Sequence, residues 1–222
     1  TSDIASMRKA VSNLHAAGGG DGPEALTDGI FDLVRLDFRA HAARVAILVG
    51  DAPPHGVEPE GDGFAAGCPC GQHWYTQAEN CREMGIVVHT VGCLPTLEQF
   101  VGAVSVFKTI AETTRGLYLP LQQAELLVPL ILAMAESELD KQRIVEHVAD
   151  AIAAHEALLR EAEEEEQRRY LCEFLQQQGV RPRRADYAPH THRAPRCCFR
   201  PLTTTDIEES MAELRRLGRI QL

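Results

Sequence analysis

The 222-residue chain carries 22 basic and 32 acidic side chains, for a formal net charge of −10. This charge repels phosphate groups at long range and argues against a general nucleic-acid or anionic-membrane surface. The longest apolar stretch, Leu126–Ala135, has about half of the roughly 20 residues that a membrane-spanning helix needs, so we expect no membrane span. The seven cysteines do not suggest a tidy disulfide framework, which favours reduced thiols and an intracellular, cytoplasmic location.

The N-terminal segment carries the signals of two helices. Apolar residues with helical spacing predict a helix over residues 3–15, capped by Ser2 or Asp3. A second helix is predicted to follow the glycines after it, since Asp21 and Glu24 have the spacing of a capping box.

Three strands and two more helices are predicted next along the chain. The near-continuous apolar runs Val45–Val49 and Ile86–Val91 are typical of strands covered on both faces. Helices are predicted at 77–84 and 97–114, and a short third strand at Gly116–Leu121. This alternation is typical of parallel βαβ units with right-handed crossovers. The predicted fold class is α/β: a partial doubly wound parallel sheet of about three strands with flanking helices, followed by a long helical tail.

The remainder of the chain predicts mainly helix. Residues 123–178 consist largely of strong helix formers, with Pro129 as their helix breaker, and predict one long helix or a helical pair. A segment rich in Arg, Pro and His predicts an irregular linker, and Thr205, followed by Glu208, is the predicted cap of a C-terminal helix. The predicted division is a partial α/β domain at 1–135, a helical extension at 136–178, a linker at 179–203 and a helix at 204–222.

A carboxylate follows the first predicted strand. Pro53 and Pro54 cannot extend a central strand, so the strand ends near Gly50 and Asp51 lies at its carboxyl-terminal tip. Ligand sites of α/β folds lie at this end of parallel strands, which makes Asp51 a candidate ligand-binding residue. The alternative interpretation is that Asp51 organises the turn through its own backbone.

Five segments of the chain resemble, in order and spacing, the second half of a von Willebrand factor type A (VWA) domain, and are similar to the hemicentin-like intracellular and microbial members. The segments are GGGDGPEALTDGI (18–30), VAILVGDAPPHG (45–56), GDGFAAGCPCG (61–71), GIVVHTVGC (85–93) and IAETTRGLYLPL (110–121). The resemblance does not extend beyond about residue 136.

The resemblance implies a metal-ion-dependent adhesion site that holds Mg²⁺, or Mn²⁺ or Ca²⁺, at the top of a doubly wound sheet. Its ligands would come from three loops: a D-x-S-x-S motif, a Thr or Asp in the loop that matches Gly20 and Asp21, and an Asp that matches Asp51. A hard cation with an incomplete shell of oxygen ligands could accept a carboxylate from a protein partner.

The chain departs from this pattern in a way that weakens the expected site. No D-x-S-x-S motif occurs in the 222 residues, and Asp21 replaces the commoner Thr and is also placed to cap a helix. Asp51 and Asp21 are therefore the predicted metal ligands, with weak or absent metal binding expected.

The departure also affects the predicted sheet. Thr1 corresponds to a point beyond the family's third strand, so the strand at Val45–Val49 would lack its expected neighbour and form an exposed edge. We expect this edge to be covered by the tail, to be covered by another chain, or to stay uncovered in a chain that self-associates.

The cysteine-rich loop offers a second candidate metal site. Cys68, Cys70, His73 and Cys81, with His55 near the strand tip, form an alternative zinc set, although Cys-Pro-Cys is tighter than the usual zinc spacing. A loop disulfide or ordinary thiols would account for the same cysteines. A further set of His190, His192, Cys197 and Cys198 lies in a segment too rich in Pro and Arg to be preorganised.

The sequence shows no nucleophile elbow, phosphate loop or pair of catalytic carboxylates, so an enzyme is not expected. The leading hypothesis is a VWA-type protein-interaction module. The alternatives are a degenerate structural domain whose helical tail mediates association and, less favoured, a zinc-binding domain.

Overall fold

The computed structural model describes residues 3–15, 20–39, 42–188 and 193–221. Short 3₁₀ turns lie at Thr96–Gln99 and Ala124–Leu126. In the described ranges, no helix is long and apolar enough to cross a membrane. The remaining elements are α1 (Ile4–Ser12), α2 (Leu26–Leu33), β1 (Arg44–Gly50), α3 (Trp74–Glu83), β2 (Ile86–Cys93), α4 (Ala103–Thr113), β3 (Tyr118–Leu121), α5 (Leu127–Ala154), α6 (Glu156–Arg160), α7 (Glu164–Gln177), β4 (Arg183–Asp186), β5 (Arg196–Phe199) and α8 (Thr204–Arg216).

Strands β1, β2 and β3 form a parallel sheet in that order. Val45 pairs with Val87, and Val91 pairs with Leu119, which places the carboxyl ends of the three strands at one rim. Helix α3 connects β1 to β2 and helix α4 connects β2 to β3, so the predicted α/β fold class with a three-stranded parallel sheet is confirmed.

Strand β2 is central and buried on both faces. Ile86 and Val88 belong to the cluster that contains Cys81 of α3 and Phe107 of α4. Val91 packs on the opposite face against Met134 of α5. Helices cover the sheet on both sides, which explains the continuous apolar run of β2, as the sequence predicted.

Strand β1 forms one edge of the sheet. It pairs with β2, and among the described residues no strand pairs with its other side. Val49 is 41% exposed. The tail comes close to the beginning of β1 without adding a strand, since Arg44 and Val45 line a cavity of about 150 Å³ together with Glu209 and Glu213 of α8.

The predicted helix over 97–114 is shorter than expected. Residues 96–99 form a 3₁₀ turn, Phe100 is extended, and α4 begins at Ala103. The loop after β1 sets this beginning: Gly102 N–H donates to Glu58 Oε1 (2.7 Å), and a Cβ at Gly102 would lie 2.6 Å from Val57 Cγ1.

The tail folds into helices α5, α6, α7 and α8, which share a second hydrophobic core. Val148 and Ile152 of α5 pack in it with Leu171 of α7 and Met211 of α8. Pro129 lies in the first turn of α5, where its missing N–H has no intrahelical partner to lose. The boundary predicted at residue 135 falls inside α5, which continues unbroken because its two halves pack on different cores.

The prediction of an irregular linker over 179–203 is wrong for its described residues. Strands β4 and β5 pair antiparallel, with Arg184 opposite Cys198 and Ala185 opposite Cys197. Carboxylates from distant helices hold them: Asp140 accepts from the Arg183 backbone N–H, and Asp206 Oδ1 accepts from Arg184 Nη2 at 2.7 Å. Hydrophobic periodicity did not reveal this hairpin because its stabilising partners are polar and remote.

The cap predicted for the last helix is also wrong by two residues. Thr203, not Thr205, is the N-cap of α8, and it forms a capping box with Asp206. Residues 203 and 205 are both threonines. Thr203 is the cap because it lies three residues before the buried carboxylate of Asp206, the spacing of a capping box.

Candidate functional site at the rim of the sheet

Asp51 lies at the tip of β1, one residue beyond its last paired position. Gly50 pairs with Gly92, and the exposed Asp51 follows. Its carboxylate faces the tip of the neighbouring strand: burial and the Asp51 charge together raise the pKa of the Cys93 thiol. Asp51 is thus an accessible negative charge at the rim formed by the carboxyl ends of the strands.

Asp21 lies at the same rim in a role that differs from the predicted one. Helix α2 begins at Leu26 with Ala25 as its N-cap, so the capping box predicted for Asp21 and Glu24 does not form. Asp21 Oδ2 instead accepts the Gly63 N–H at 2.8 Å. The chain around Asp21 is held by the Glu24 N–H, which donates to Pro53 O at 2.9 Å.

A second carboxylate and a histidine accompany Asp21. His55 Nδ1 lies 2.8 Å from Asp62 Oδ1 and 3.8 Å from Asp21 Oδ2. An ionised carboxylate only accepts hydrogen bonds, so His55 Nδ1 is the donor to Asp62. We refer to Asp21, His55 and Asp62 as the rim cluster.

The rim cluster organises the loop after β1. Asp62 also accepts the N–H groups of Gly56 and Phe64, both at 2.7 Å. Burial alone raises the pKa of Asp62, but the hydrogen bonds from Gly56, His55 and Phe64 outweigh it and leave the pKa below its ordinary value. The sequence did not single out Asp62, although the turn over Asp62, Gly63 and Phe64 carries the local signal of an Asp that binds the N–H two residues on.

The residues at the rim do not fit a complete Mg²⁺ site. Within the described parts of the chain, two groups bring three His, Cys, Asp or Glu ligand atoms within 4.8 Å of one another: the rim cluster, and Asp28 with Cys68 and Cys70. Neither contains Asp51. Mg²⁺ requires near-octahedral oxygen ligands, whereas Asp21 is engaged by Gly63 and the rim cluster includes an imidazole.

The zinc set predicted from Cys68, Cys70, His73 and Cys81 is not assembled. Cys68 and Cys70 form a disulfide, one of the alternatives that the sequence left open. His73 is the N-cap of α3, and its Nδ1 accepts the Tyr75 N–H at 3.2 Å. Cys81 is fully buried, and burial raises the pKa of its thiol to about 11, so it stays protonated near neutral pH.

Only the cysteines of the second candidate set, Cys197 and Cys198, lie within the described residues. Cys197 and Cys198 are free thiols on β5, while His190 and His192 lie outside the described residues.

Comparisons with known proteins give one partial similarity. No family model matches the chain, and no solved structure matches it. Over 63 residues the chain is 38% identical to a protein of Dictyostelium discoideum described as alpha-protein kinase vwkA. The match covers 28% of this chain and 10% of that protein, so the chain spans about a tenth of the relative's length.

Proposed function

We propose that this chain is a protein-interaction module of the VWA class that binds a protein partner at the carboxyl-end rim of its sheet. The observation that carries the proposal is the contact between two rim loops: the Glu24 N–H donates to Pro53 O at 2.9 Å, which ties the loop of Asp21 to the loop that follows Asp51. A parallel sheet with Asp51 at a strand tip and Asp21 in the adjacent loop is also the arrangement that the VWA resemblance implies.

Divalent cations have a small part in this proposal. Asp51 and Asp21 are the residues that would offer oxygen ligands, but Asp51 joins neither three-ligand group of the described residues. We therefore expect this chain to bind Mg²⁺ or Mn²⁺ weakly, and its partner mainly through charge and hydrogen bonds at the rim.

The proposed role is binding and not catalysis. Kinase activity is a property of the Dictyostelium relative, of which the match covers 10%, and we do not extend it to this chain. An intracellular location likewise stays a prediction from the cysteine content.

Association through the helical tail is a second candidate function, and one observation favours it. Val128, Leu132 and Leu139 are 58–65% exposed and lie on α5 at spacings of four and seven residues. They form an apolar stripe on the helix that covers the sheet, and such a stripe suits a partner helix.

Site-specific photo-crosslinking distinguishes these two surfaces. A photoreactive phenylalanine analogue is placed at Phe64, which is 48% exposed in the loop after β1, at Leu132 on the α5 stripe, and at the exposed Glu112 near the far end of α4. We expect position 64 to give one dominant adduct with a protein partner in cells, and Asp51→Ala to reduce it because the rim loses a charge. Glu112 is the control for random encounter.

An adduct from position 132 alone would contradict binding at the rim and favour the tail. Equal adducts at all three positions, or an adduct at position 64 that Asp51→Ala leaves unchanged, would also contradict the proposal. Calorimetric titration of Mg²⁺ tests the cation separately, and identical heats for the wild type and Asp51→Ala would remove Asp51 as a ligand.

A further inference from the structure

The cysteine-rich loop meets helix α2 through residues that do not belong to the rim cluster. Cys68 and Cys70 lie in the loop between β1 and α3, and Asp28 lies in the first turn of α2. Both carboxylate oxygens of Asp28 are 3.4 Å from Cys68 Sγ, and one ligand atom from each of the three residues falls within a group 4.8 Å across. Residues 40 positions apart therefore bring two sulfur ligands and one oxygen ligand together.

Glycines hold this loop in shape. Gly67 and Gly71 have φ angles of +106° and +74°, on either side of the Cys-Pro-Cys sequence. The Gly71 N–H donates to Cys68 O at 2.9 Å, and a Cβ on Gly56 would lie 2.6 Å from Gly67 Cα. Since side chains are disfavoured at such positions, this loop conformation requires glycine on both sides of the two cysteines.

In the disulfide state the carboxylate of Asp28 has no donor in the described structure. A disulfide sulfur carries no proton, so Cys68 can donate to Asp28 only as a thiol. The Asp28 side chain is half-buried, and Cys68 Sγ lies 3.4 Å from both of its carboxylate oxygens. This carboxylate therefore faces two sulfurs, and no basic side chain of the described residues forms an ion pair with it.

The distances between Cys68 and Asp28 agree with tetrahedral zinc coordination. Zinc bonds of about 2.3 Å to sulfur and about 2.1 Å to oxygen place tetrahedral sulfur and oxygen ligands about 3.6 Å apart. The observed separation between Cys68 Sγ and the Asp28 oxygens is 3.4 Å. The two sulfurs must separate to about 3.8 Å for the same geometry, so the disulfide must first be reduced.

We propose that Asp28, Cys68 and Cys70 bind Zn²⁺ when the Cys68–Cys70 disulfide is reduced. Two thiolates favour a borderline-soft ion over Mg²⁺. Cys68 is buried and Cys70 is exposed, so the ion enters from the side of Cys70, and water or a ligand from outside the chain takes the fourth position. The disulfide and the zinc complex exclude each other, which makes metal binding dependent on the redox state.

Reduction and metal binding each balance in electrons and protons. An external dithiol gives two electrons and two protons to the Cys68–Cys70 bond and becomes a disulfide, leaving two thiols. Zn²⁺ then displaces the two thiol protons, which pass to the buffer, and forms two bonds to sulfur and one to an Asp28 oxygen. This ligand set includes Asp28 in place of His73 and Cys81, and it does not depend on the proposed partner binding at the rim.

Cobalt and zinc titrations of the full chain test the proposal. The protein is reduced with a phosphine and titrated with Co²⁺ and then Zn²⁺. We expect one equivalent of Co²⁺ to give a thiolate-to-cobalt charge-transfer band with release of two protons, and one equivalent of Zn²⁺ to displace the Co²⁺ and bleach the band without further proton release. Cys70→Ser should lose the band, and Asp28→Asn should keep it with affinity lower by roughly tenfold or more, since even supporting residues of metal sites have effects of that size.

Matched controls separate this site from other thiols and from misfolding. Asp32→Asn lies on the exposed face of the same helix, and Cys93→Ser changes a partly exposed thiol at the sheet rim. Both should bind Co²⁺ as the wild type does. Three results would overturn the proposal: no charge-transfer band in the reduced chain, equal binding by the oxidised chain, or equal weakening by Asp28→Asn and Asp32→Asn in variants with wild-type circular dichroism.

Discussion

Asp206 shows how one residue can organise a segment that lacks a hydrophobic pattern. It is 3% exposed, and its oxygens accept from Arg184 Nη2 at 2.7 Å, Arg200 Nη1 at 2.9 Å and the Thr203 N–H at 2.9 Å. Burial alone raises the pKa of Asp206, but the hydrogen bonds from Arg200 and Thr203 outweigh it and leave the pKa below its ordinary value of 3.8. A single carboxylate thus joins β4, the residues after β5 and the cap of α8.

Removing this charge should destabilise the tail. We expect Asp206→Asn to lower the free energy of unfolding by about 1–3 kcal/mol, because charge-assisted hydrogen bonds to two arginines are lost. Urea unfolding measures the change. Asp186→Asn, in an exposed pair with Arg196 at 4.0 Å, is the matched control and should stay within about 0.5 kcal/mol.

The effect of Asp206→Asn should depend on pH with a defined sign. Because the folded-state pKa is lowered, the stabilisation by Asp206 is complete above the ordinary value of 3.8 and is lost as the pH falls through the lower folded pKa. The stability difference between the wild type and Asp206→Asn should therefore shrink with acidification below that value. A difference that grows in acid would contradict the assignment.

At the scale of the element, β1 is the strand whose environment is incomplete. Its neighbour β2 is paired on both sides, whereas among the described residues β1 is paired on one side alone. Unpaired backbone groups along an apolar strand are a site for association with another chain.

Hydrogen exchange measures how this edge is covered in solution. In a dilute monomer we expect the β1 amides that point away from β2 to exchange fast, while amides of β2 are protected. Ile86–Cys93 is the internal control. Uniform strong protection of Val45–Val49 in the monomer would contradict an open edge, and protection that appears only at high concentration would indicate self-association through it.

At the scale of the molecule, α5 joins two hydrophobic cores. Leu130 and Met134 pack on the sheet, whereas Ile144 and Val148 pack in the helical tail. Arg216 of α8 also comes back to the sheet, since a Cβ on Gly85 would lie 3.1 Å from its Cζ atom. Because one rigid helix carries residues of both cores, we expect the two to unfold together.

Leu171→Ala tests this coupling. Leu171 is fully buried in the tail core, so its truncation should cost about 2–5 kcal/mol. Trp74 is the single tryptophan of the chain and packs on the α/β core, so its fluorescence reports that part. The transitions seen by Trp74 fluorescence and by circular dichroism should shift together to lower denaturant.

Leu158→Ala, at a position 54% exposed on α6, is the control and should move neither transition appreciably. If the circular dichroism transition moves in Leu171→Ala while the Trp74 transition does not, the two cores unfold independently.

The sequence alone determined the parts of this protein that depend on neighbours in the chain. The run Ile86–Val91 predicted a strand covered on both faces, and Pro53 and Pro54 located the end of β1 and the position of Asp51. Hydrophobic periodicity and proline geometry act over a few residues, so they can be recognised without knowledge of the fold.

Only the tertiary structure decided which distant residues meet. In the folded chain Asp21 accepts the Gly63 N–H instead of capping a helix. Strand β4 pairs with β5, and the carboxylates of Asp140 and Asp206 accept hydrogen bonds from β4. The tertiary structure also placed Asp28, instead of His73 or Cys81, beside Cys68 and Cys70. Hydrogen bonds and ligand clusters depend on distances of a few ångströms between residues that lie far apart in the chain, and only the packed helices and sheet set those distances.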